Sequence, residues 1–435
     1  MSDAIPLPSR PSLEQYKKLA RELQRASAQS AKEHDVHAWA VHWLERCLRT
    51  TSQELTAKES AHITDTAEAI NGRWIAFNKK RSAEGPSLTD AQFFLAREHG
   101  FPSWPTFAEH VRLLGSAHSP VANFEAAADA IVLGDEQTLS ELLQRDPSLA
   151  RTRSLREHRS TLLHYCSANG VEDYRQKTPR NAVAITRQLL DAGAEVNAES
   201  EAYGGRSTTL MLTATSVHPE RAGVQIELLE LLLESGATID VPGGASTVNA
   251  CLRNGRGEAA AFLAGQGGRL DLDGAAGVGL LDVVRSFFAK DGVLRSSATP
   301  QQLANGFGWA CEFGRTNVVE FLLQQRIRAD MPLDPVGTTA LHFAALDGQV
   351  GVVRLLLAHG ANVHAVENRF RATPLGWALH GWSHRMAEDE ERHFCEVVNV
   401  LVRAGASTHA LQNEVANSQM LAALRGEYRS ISSTA

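Results

Sequence analysis

Hydrophobic residues recur along most of the chain at the three- and four-residue spacing of amphipathic helices. The clearest example is residues 337–365, GTTALHFAALDGQVGVVRLLLAHGANVHA, where two apolar segments are separated by one glycine and followed by another. Gly348 and Gly360 are placed to end the two helices, because glycine adopts the left-handed conformation common at helix C-termini. Thr339 can cap the first helix, and His342 can satisfy backbone groups of the loop before it. The pattern predicts a pair of short helices.

The same pattern returns in phase every thirty-odd residues, which is the signature of a repeat architecture. Further copies lie at 126–149, 161–197, 208–240, 246–272, 275–288, 307–323 and 373–406. We count about eight helix-pair units between residues 122 and 410, with 411–435 as a C-terminal cap and tail. Three units carry insertions between their helices, at 171–181, 216–223 and 380–392. The array is therefore expected to be irregular.

The first 118 residues lack the repeat but keep the helical spacing. Segments such as LEQYKKLARELQRA and TDAQFFLAREHG predict four or five helices, and Pro105 is placed at the start of the last one. We therefore expect three parts: an N-terminal helical domain at 1–118, a repeat array at 122–410, and the tail at 411–435.

Unit 337–365 closely resembles the ankyrin repeat, with its G-x-T-x-L-H-x-A-A-x-x-G start and its V-V-x-L-L-L second helix. Residues 88–111 resemble the helical module that precedes ankyrin arrays in many bacterial proteins, a resemblance that implies no activity. The implied fold is all-α, an ankyrin-repeat solenoid preceded by an N-terminal helical bundle. The unit at 275–288 departs from the family pattern because it lacks the T-P-L-H start, and Thr299-Pro300 begins an unusually early helix for the next unit.

The resemblance also indicates which side chains face the concave groove of such an array. The candidate binding residues are Tyr165, Arg253, Trp309, Glu312, Phe313, Phe343, Leu346, Asp347, Trp377, His380 and Trp382. Three consecutive units place Trp309, Phe343 and Trp377 at the same position. A row of exposed aromatic rings is typical of a binding hot spot. The alternative is that these rings complete the core or pack under the longer loops.

Composition narrows the partners and the compartment. The formal net charge is −7, and neither the first 118 residues nor the remainder has the basic excess expected of a nucleic-acid-binding protein. Five cysteines without a CxxC pair indicate buried free thiols in a reducing cytoplasm. No signal-peptide pattern and no run of eighteen apolar residues is present. We expect a cytoplasmic protein with no membrane partner.

Three groups of polar residues could carry chemistry. His380 and His384 stand four residues apart beside the acidic run 388–391, which could hold zinc or form a solvated loop, and the loop is the preferred interpretation. The N-terminal histidines at 34, 37 and 42 do not share one helical face and are interpreted as surface residues. Arginines cluster at 151–159, near Arg175 and Arg180, and could receive an acidic or phosphorylated partner or form a solvated face.

The leading hypothesis is a scaffold that binds a partner protein through its groove and its hairpin fingers. The competing hypotheses are an enzyme with a pocket formed by the three insertions, and a binder of a small apolar ligand. The chain lacks a P-loop, a nucleophile elbow and a dinucleotide-binding fingerprint. The sequence therefore predicts no cofactor, no metal and no catalytic residue, and it leaves enzymatic activity open.

Overall fold

The computed structural model describes residues 4–8, 10–28, 34–48, 57–79, 85–116, 119–384, 391–408 and 415–429. Its internal contacts divide the chain into two compact units, Met1–Thr238 and Ile239–Ala435. The boundaries expected near residues 118 and 410 stay predictions.

The first unit begins with five helices that enclose an aromatic core. They are α1 (Leu13–Ala28), α2 (His34–Leu48), α3 (Ala57–Asn78), α4 (Leu88–Glu98) and α5 (Trp104–Leu114). The side chain of Ser87 forms a capping box with Asp90 at the start of α4, which satisfies backbone N–H groups that have no partner within the helix. Trp43 and Trp74 are buried among these helices, 0% and 2% exposed. The N-terminal helices were thus correctly predicted.

Three helix pairs complete the first unit. Their helices are α6 (Pro120–Leu133), α7 (Glu136–Arg145), α8 (Leu162–Tyr165), α9 (Ala182–Asp191), α10 (Thr209–Thr215), α11 (Val217–Arg221) and α12 (Gln225–Glu234). Short 3-10 helices occupy Pro147–Arg151, Asp173–Arg175 and Ala202–Gly204. Strands β1 (Glu199–Ser200) and β2 (Ser207–Thr208) form an antiparallel finger with Glu199 opposite Thr208. The insertion at 216–223 contains the extra helix α11.

The second unit contains five further helix pairs and a terminal helix. The helices are α13 (Thr247–Arg253), α14 (Gly257–Gly265), α15 (Leu272–Val278), α16 (Leu281–Ser286), α17 (Pro300–Glu312), α18 (Thr316–Gln324), α19 (Ala340–Leu346), α20 (Val350–Ala358), α21 (Pro374–His384), α22 (Glu391–Arg403) and α23 (Ser418–Leu424). The described residues thus contain eight helix pairs, as predicted. Helix α17 begins at Pro300 behind a capping box of Thr299 and Gln302, which confirms the early start.

The repeat histidines have the predicted structural role. His342 Nδ1 lies 2.9 Å from Thr339 Oγ1, and its Nε2 lies 3.3 Å from the carbonyl oxygen of Ala372. His164 bridges Thr161 and Ser207 in the same way in the first unit. Each histidine therefore ties the start of the first helix of its pair to the loop before the next pair. We call the first helix of each pair the inner helix and the second the outer helix.

Small residues set the distance between the inner helices of the second unit. A Cβ on Gly306 of α17 would lie 3.0 Å from Ala276 Cβ on α15, which is tighter than an ordinary contact.

Across the described residues, no helix is both long and apolar enough to cross a bilayer.

Candidate functional site

The inner-helix face of the second unit carries most of the residues proposed to bind a partner. The ring of Phe343 on α19 lies against α17, where a Cβ on Gly308 would be 3.7 Å from it. Trp377 on α21 meets Phe343 edge to face, with ring centroids 5.8 Å apart. Both rings are half-buried. The structure therefore brings these two aromatic side chains together on one partly exposed surface.

Two of the predicted groove aromatics are not available to a partner. Trp309 is only 9% exposed, and its Cβ packs against α15 at Gly277. Tyr165 in the first unit is fully buried, and its hydroxyl donates a hydrogen bond to Glu172 Oε1 at 3.2 Å. The expectation that both rings face an open groove is wrong. The phase of a repeat fixes the position of a residue, but the packing of neighbouring helices decides its exposure.

Charged groups border the aromatic pair at the C-terminal ends of α17 and α19. Burial and the nearby carboxylate of Asp347 raise the pKa of the partly buried Glu312 to about 8. Burial lowers the pKa of Arg256, and the negative charge of Asp347 opposes that effect. Phe313 packs on the backbone at the start of α14, since a Cβ on Gly257 would lie 2.7 Å from its ring. This edge of the face combines an aromatic ring with both signs of charge.

The remaining groove candidates differ in exposure. Arg253, Asp347 and His380 are exposed, whereas Leu346 and Trp382 are half-buried. Trp382 packs against the hydrophobic core of the second unit.

The proposed zinc site gains no third ligand in the part of the chain that the structure describes. The rings of His380 and His384 lie 4.2 Å apart between centroids, but no group of three or more metal-binding side chains forms among the described residues. The acidic residues at 388–390 lie outside the described residues, as does the side chain of His34. His37 is half-buried and His42 is exposed.

The arginine cluster of the first unit has a different role from the one predicted. Arg156 is 2% exposed and binds Glu125 Oε1 at 2.6 Å and Glu172 Oε1 at 2.7 Å. Arg175, from the insertion at 171–181, binds Glu125 Oε2 at 2.8 Å and also contacts Asp129. These two arginines are therefore neither a solvated face nor a docking patch. They form a buried ion-pair network, which we call the Arg156 network.

Two other arginines of the segment 151–159, the exposed Arg151 and the half-buried Arg153, bind backbone groups. Arg153 donates to the carbonyl oxygens of Arg159 and Glu199, at 2.9 and 2.6 Å, and Arg151 donates to that of Gly193. They hold the loops together, whereas Arg159 and Arg180 are exposed, and the binding of an acidic partner there stays a prediction.

The electrostatics of the Arg156 network favour its fully charged form. Burial alone would raise the pKa of Glu125, but the guanidinium groups of Arg156 and Arg175 outweigh burial and lower it to about 2. The same arginines lower the pKa of Glu172. One signal in the sequence pointed to this network: Glu125 stands between Phe124 and the three alanines 126–128 of α6, at a position that is buried.

The cysteines are not candidate nucleophiles. All five are buried free thiols, as predicted. Burial raises the pKa of Cys47 to about 11 and those of Cys166 and Cys251 to about 12. The reactive thiolate is therefore scarce at neutral pH.

Two open pockets lie in the first unit. One of about 400 Å³ is lined by Ile5, Leu44, Ile63, Arg73 and Tyr174 among others. The other, of about 270 Å³, lies beside the ion pair between Arg73 and Glu98. The first insertion contributes Asp173 and Tyr174 to the larger cavity. The hypothesis of a pocket formed by all three insertions stays a prediction.

Comparison with known proteins supports the repeat interpretation. A family model described as "Ankyrin repeats (3 copies)" matches residues 272–367 and 307–412. The chain contains ankyrin repeats. It is 47% identical over 58 residues to ankyrin repeat domain-containing protein 49 of Bos taurus, covering 13% of this chain and 24% of that protein. It is 29% identical over 214 residues to ankyrin repeat and KH domain-containing protein mask-1 of Caenorhabditis elegans, covering 47% of this chain and 8% of that protein.

A similar solved structure is the human ASB11 ankyrin repeat domain, at 21% identity and a TM-score of 0.31. That match covers 63% of this chain and 96% of that structure. By contrast, the alignments with the two curated relatives cover only 24% and 8% of those proteins. Both curated relatives are eukaryotic, so they do not support the bacterial origin suggested by the N-terminal module.

Proposed function

We propose that the chain is a protein-interaction scaffold that binds a partner protein through the inner-helix face of its second unit. The pairing of Phe343 with Trp377 carries this proposal. Aromatic side chains held by a rigid frame lose little entropy on binding and dominate many interfaces. Arg253 and Asp347 are exposed on this face and would select among partners by charge.

The cytoplasm is the proposed location, because five buried free thiols suit a reducing compartment. A bacterial origin, the absence of nucleic-acid partners and the binding of a small apolar ligand stay predictions.

The test is to identify partners of the full chain by affinity capture with mass spectrometry and then to measure one purified partner by calorimetry. Phe343→Ala combined with Trp377→Ala should weaken binding by at least about 30-fold, because hot-spot residues contribute about 2 kcal/mol or more. Phe321→Ala is the matched control, since Phe321 is a half-buried aromatic on the outer helix α18 of the same unit. We call the Phe343→Ala, Trp377→Ala double variant the groove variant. Equal binding of the partner by the groove variant and by Phe321→Ala would refute the proposal.

A further inference from the structure

The loop between α20 and α21 presents an aromatic side chain to solvent. Phe370 is 68% exposed and Val366 is 51% exposed, which places them among the most exposed large hydrophobic residues in the described part of the chain. A single exposed ring is common on protein surfaces and needs no explanation by itself. The construction of the loop beneath the ring is what distinguishes this one.

A buried carboxylate holds the loop in shape. Glu367 is only 1% exposed, and its side chain accepts hydrogen bonds from three backbone N–H groups. The N–H of Arg369 donates at 2.7 Å, that of Phe370 at 3.0 Å and that of Ala372 at 3.1 Å. Bonds to a charged acceptor are stronger than those between neutral groups. The loop is therefore built around Glu367.

A neighbouring loop fixes this one from the side. The N–H of Asn368 donates to the carbonyl oxygen of Val336 at 2.7 Å. The Val336 loop is itself closed by Asp334, whose Oδ1 accepts from the N–H groups of Val336 and Thr338. Arg371 has a φ of +54°, which is uncommon for a residue with a side chain and requires support from its surroundings. The tip is thus ordered before any partner arrives.

Two arginines flank the exposed ring. The guanidinium carbon of Arg369 lies 5.1 Å from the ring centroid of Phe370, within cation–π distance. Arg371 is the next residue in the sequence after Phe370, and it is exposed. Residues 369–371, which we call the fingertip, therefore combine an apolar ring with two positive charges. Aromatic and arginine side chains are the residue types most enriched at binding hot spots.

We propose that the fingertip is a second docking point, which inserts Phe370 into an apolar recess on a partner protein whose rim carries Asp or Glu side chains. The charge of the partner follows from Arg369 and Arg371, which form bidentate bonds with carboxylates. The order of the loop lowers the entropic cost of binding. This inference rests on the proposed scaffold function and adds a contact outside the inner-helix face.

A protein fits the fingertip better than a lipid surface or a nucleic acid does. Anionic lipid surfaces and nucleic acids carry many negative charges and are bound by extended basic surfaces. The chain has a net charge of −7, which repels them, whereas two arginines suffice for a local pair of carboxylates.

The first experiment places the photo-crosslinking amino acid p-benzoylphenylalanine at position 370 of the full chain in cells. The control places it at Val293, which is 60% exposed in another loop of the same unit. We expect a protein adduct specific to position 370, mapped by mass spectrometry to an apolar site flanked by acidic residues. Adducts with lipid or nucleic acid, adducts mapped to a basic site, or equal adducts at both positions would overturn the proposal.

The second experiment measures binding of the cross-linked protein, purified, to variants of the full chain. Phe370→Ala should weaken binding by about 30-fold or more, and so should Arg369→Glu with Arg371→Glu. Val293→Ala and Arg354→Glu, which alter exposed residues elsewhere in the same unit, should leave it unchanged. The altered side chains are exposed, so folding is expected to persist, and circular dichroism checks this.

The groove variant separates the two proposals. Loss of binding by the Phe343 and Trp377 double variant but not by Phe370→Ala would refute the fingertip and leave the groove proposal standing. Loss by Phe370→Ala alone supports the fingertip and counts against the groove. If neither variant loses binding, both proposals fail.

Discussion

Replacing Arg156 by methionine should destabilise the first unit by about 3–5 kcal/mol, the usual effect of removing one member of a buried ion pair. In the native state Arg156 and Arg175 balance Glu125 and Glu172, and all four are buried. Methionine fills much of the same volume but leaves one negative charge in excess.

The loss should fall mainly on one carboxylate. Without Arg156, Glu125 keeps its bond to Arg175 at 2.8 Å, whereas the nearest arginine nitrogen to Glu172 is that of Arg175 at 3.8 Å. Removing the charge of Glu172 as well should therefore restore part of the lost stability. We expect Arg156→Met with Glu172→Gln to be at least 2 kcal/mol more stable than the sum of the two single effects predicts.

The assay is urea unfolding followed by tryptophan fluorescence. In a background with Trp309, Trp377 and Trp382 replaced by Phe, the remaining tryptophans all lie in the first unit, at positions 39, 43, 74 and 104. The effect of Arg156→Met should shrink between pH 7 and pH 5, because Glu172 without its arginine can take up a proton. Simple addition of the two single effects, or a change below about 1 kcal/mol for Arg156→Met, would refute the electrostatic account.

Two predictions concern the second unit. Because the pKa of Glu312 is raised from 4.5 to about 8, the native state holds a proton that the unfolded state releases, so the free energy of unfolding should fall as the pH rises from about 4.5 to 8. Relative to Glu312→Gln, this loss has an upper limit of about 5 kcal/mol, and we expect about 1–2 kcal/mol because the group is partly exposed. A difference in stability between the two proteins that is equal at pH 5 and pH 9 would contradict it. Gly381→Ala should lower the stability of the unit by about 2–3 kcal/mol in thermal unfolding, because a Cβ would overlap the carbonyl oxygen of Leu346. Gly376→Ala in the same helix meets only ordinary contacts and should be neutral or stabilising; equal effects of the two substitutions would show that α19 and α21 separate easily.

The helix pairs could be predicted from the sequence because the signals that define them are local. Apolar spacing identifies the buried side of a helix, and a threonine or serine at its start and a glycine at its end mark its limits. The segment that predicted the repeat most clearly folds as α19 and α20, with Gly348 and Gly360 in the left-handed region. Even the early start of α17 was encoded in two adjacent residues, Thr299 and Pro300.

The destination of charged and aromatic side chains could not be predicted in this way. Arg156 pairs with Glu125, 31 residues away, and the partner belongs to a different helix pair. Nothing in the sequence near Arg156 distinguishes it from Arg153 of the same segment, which is half-buried and binds carbonyl oxygens. Whether an arginine is paired inside or left at the surface depends on which helices meet around it.

Local sequence alone therefore determined where the helices of the clearest repeats begin and end, since capping and apolar spacing depend on neighbours within about one turn. Only the tertiary structure decided that Tyr165 and Trp309 are enclosed while Phe370 stands free on a loop built around Glu367. The physical reason is that burial and ion pairing are properties of the space between elements, and side chains distant in sequence share that space.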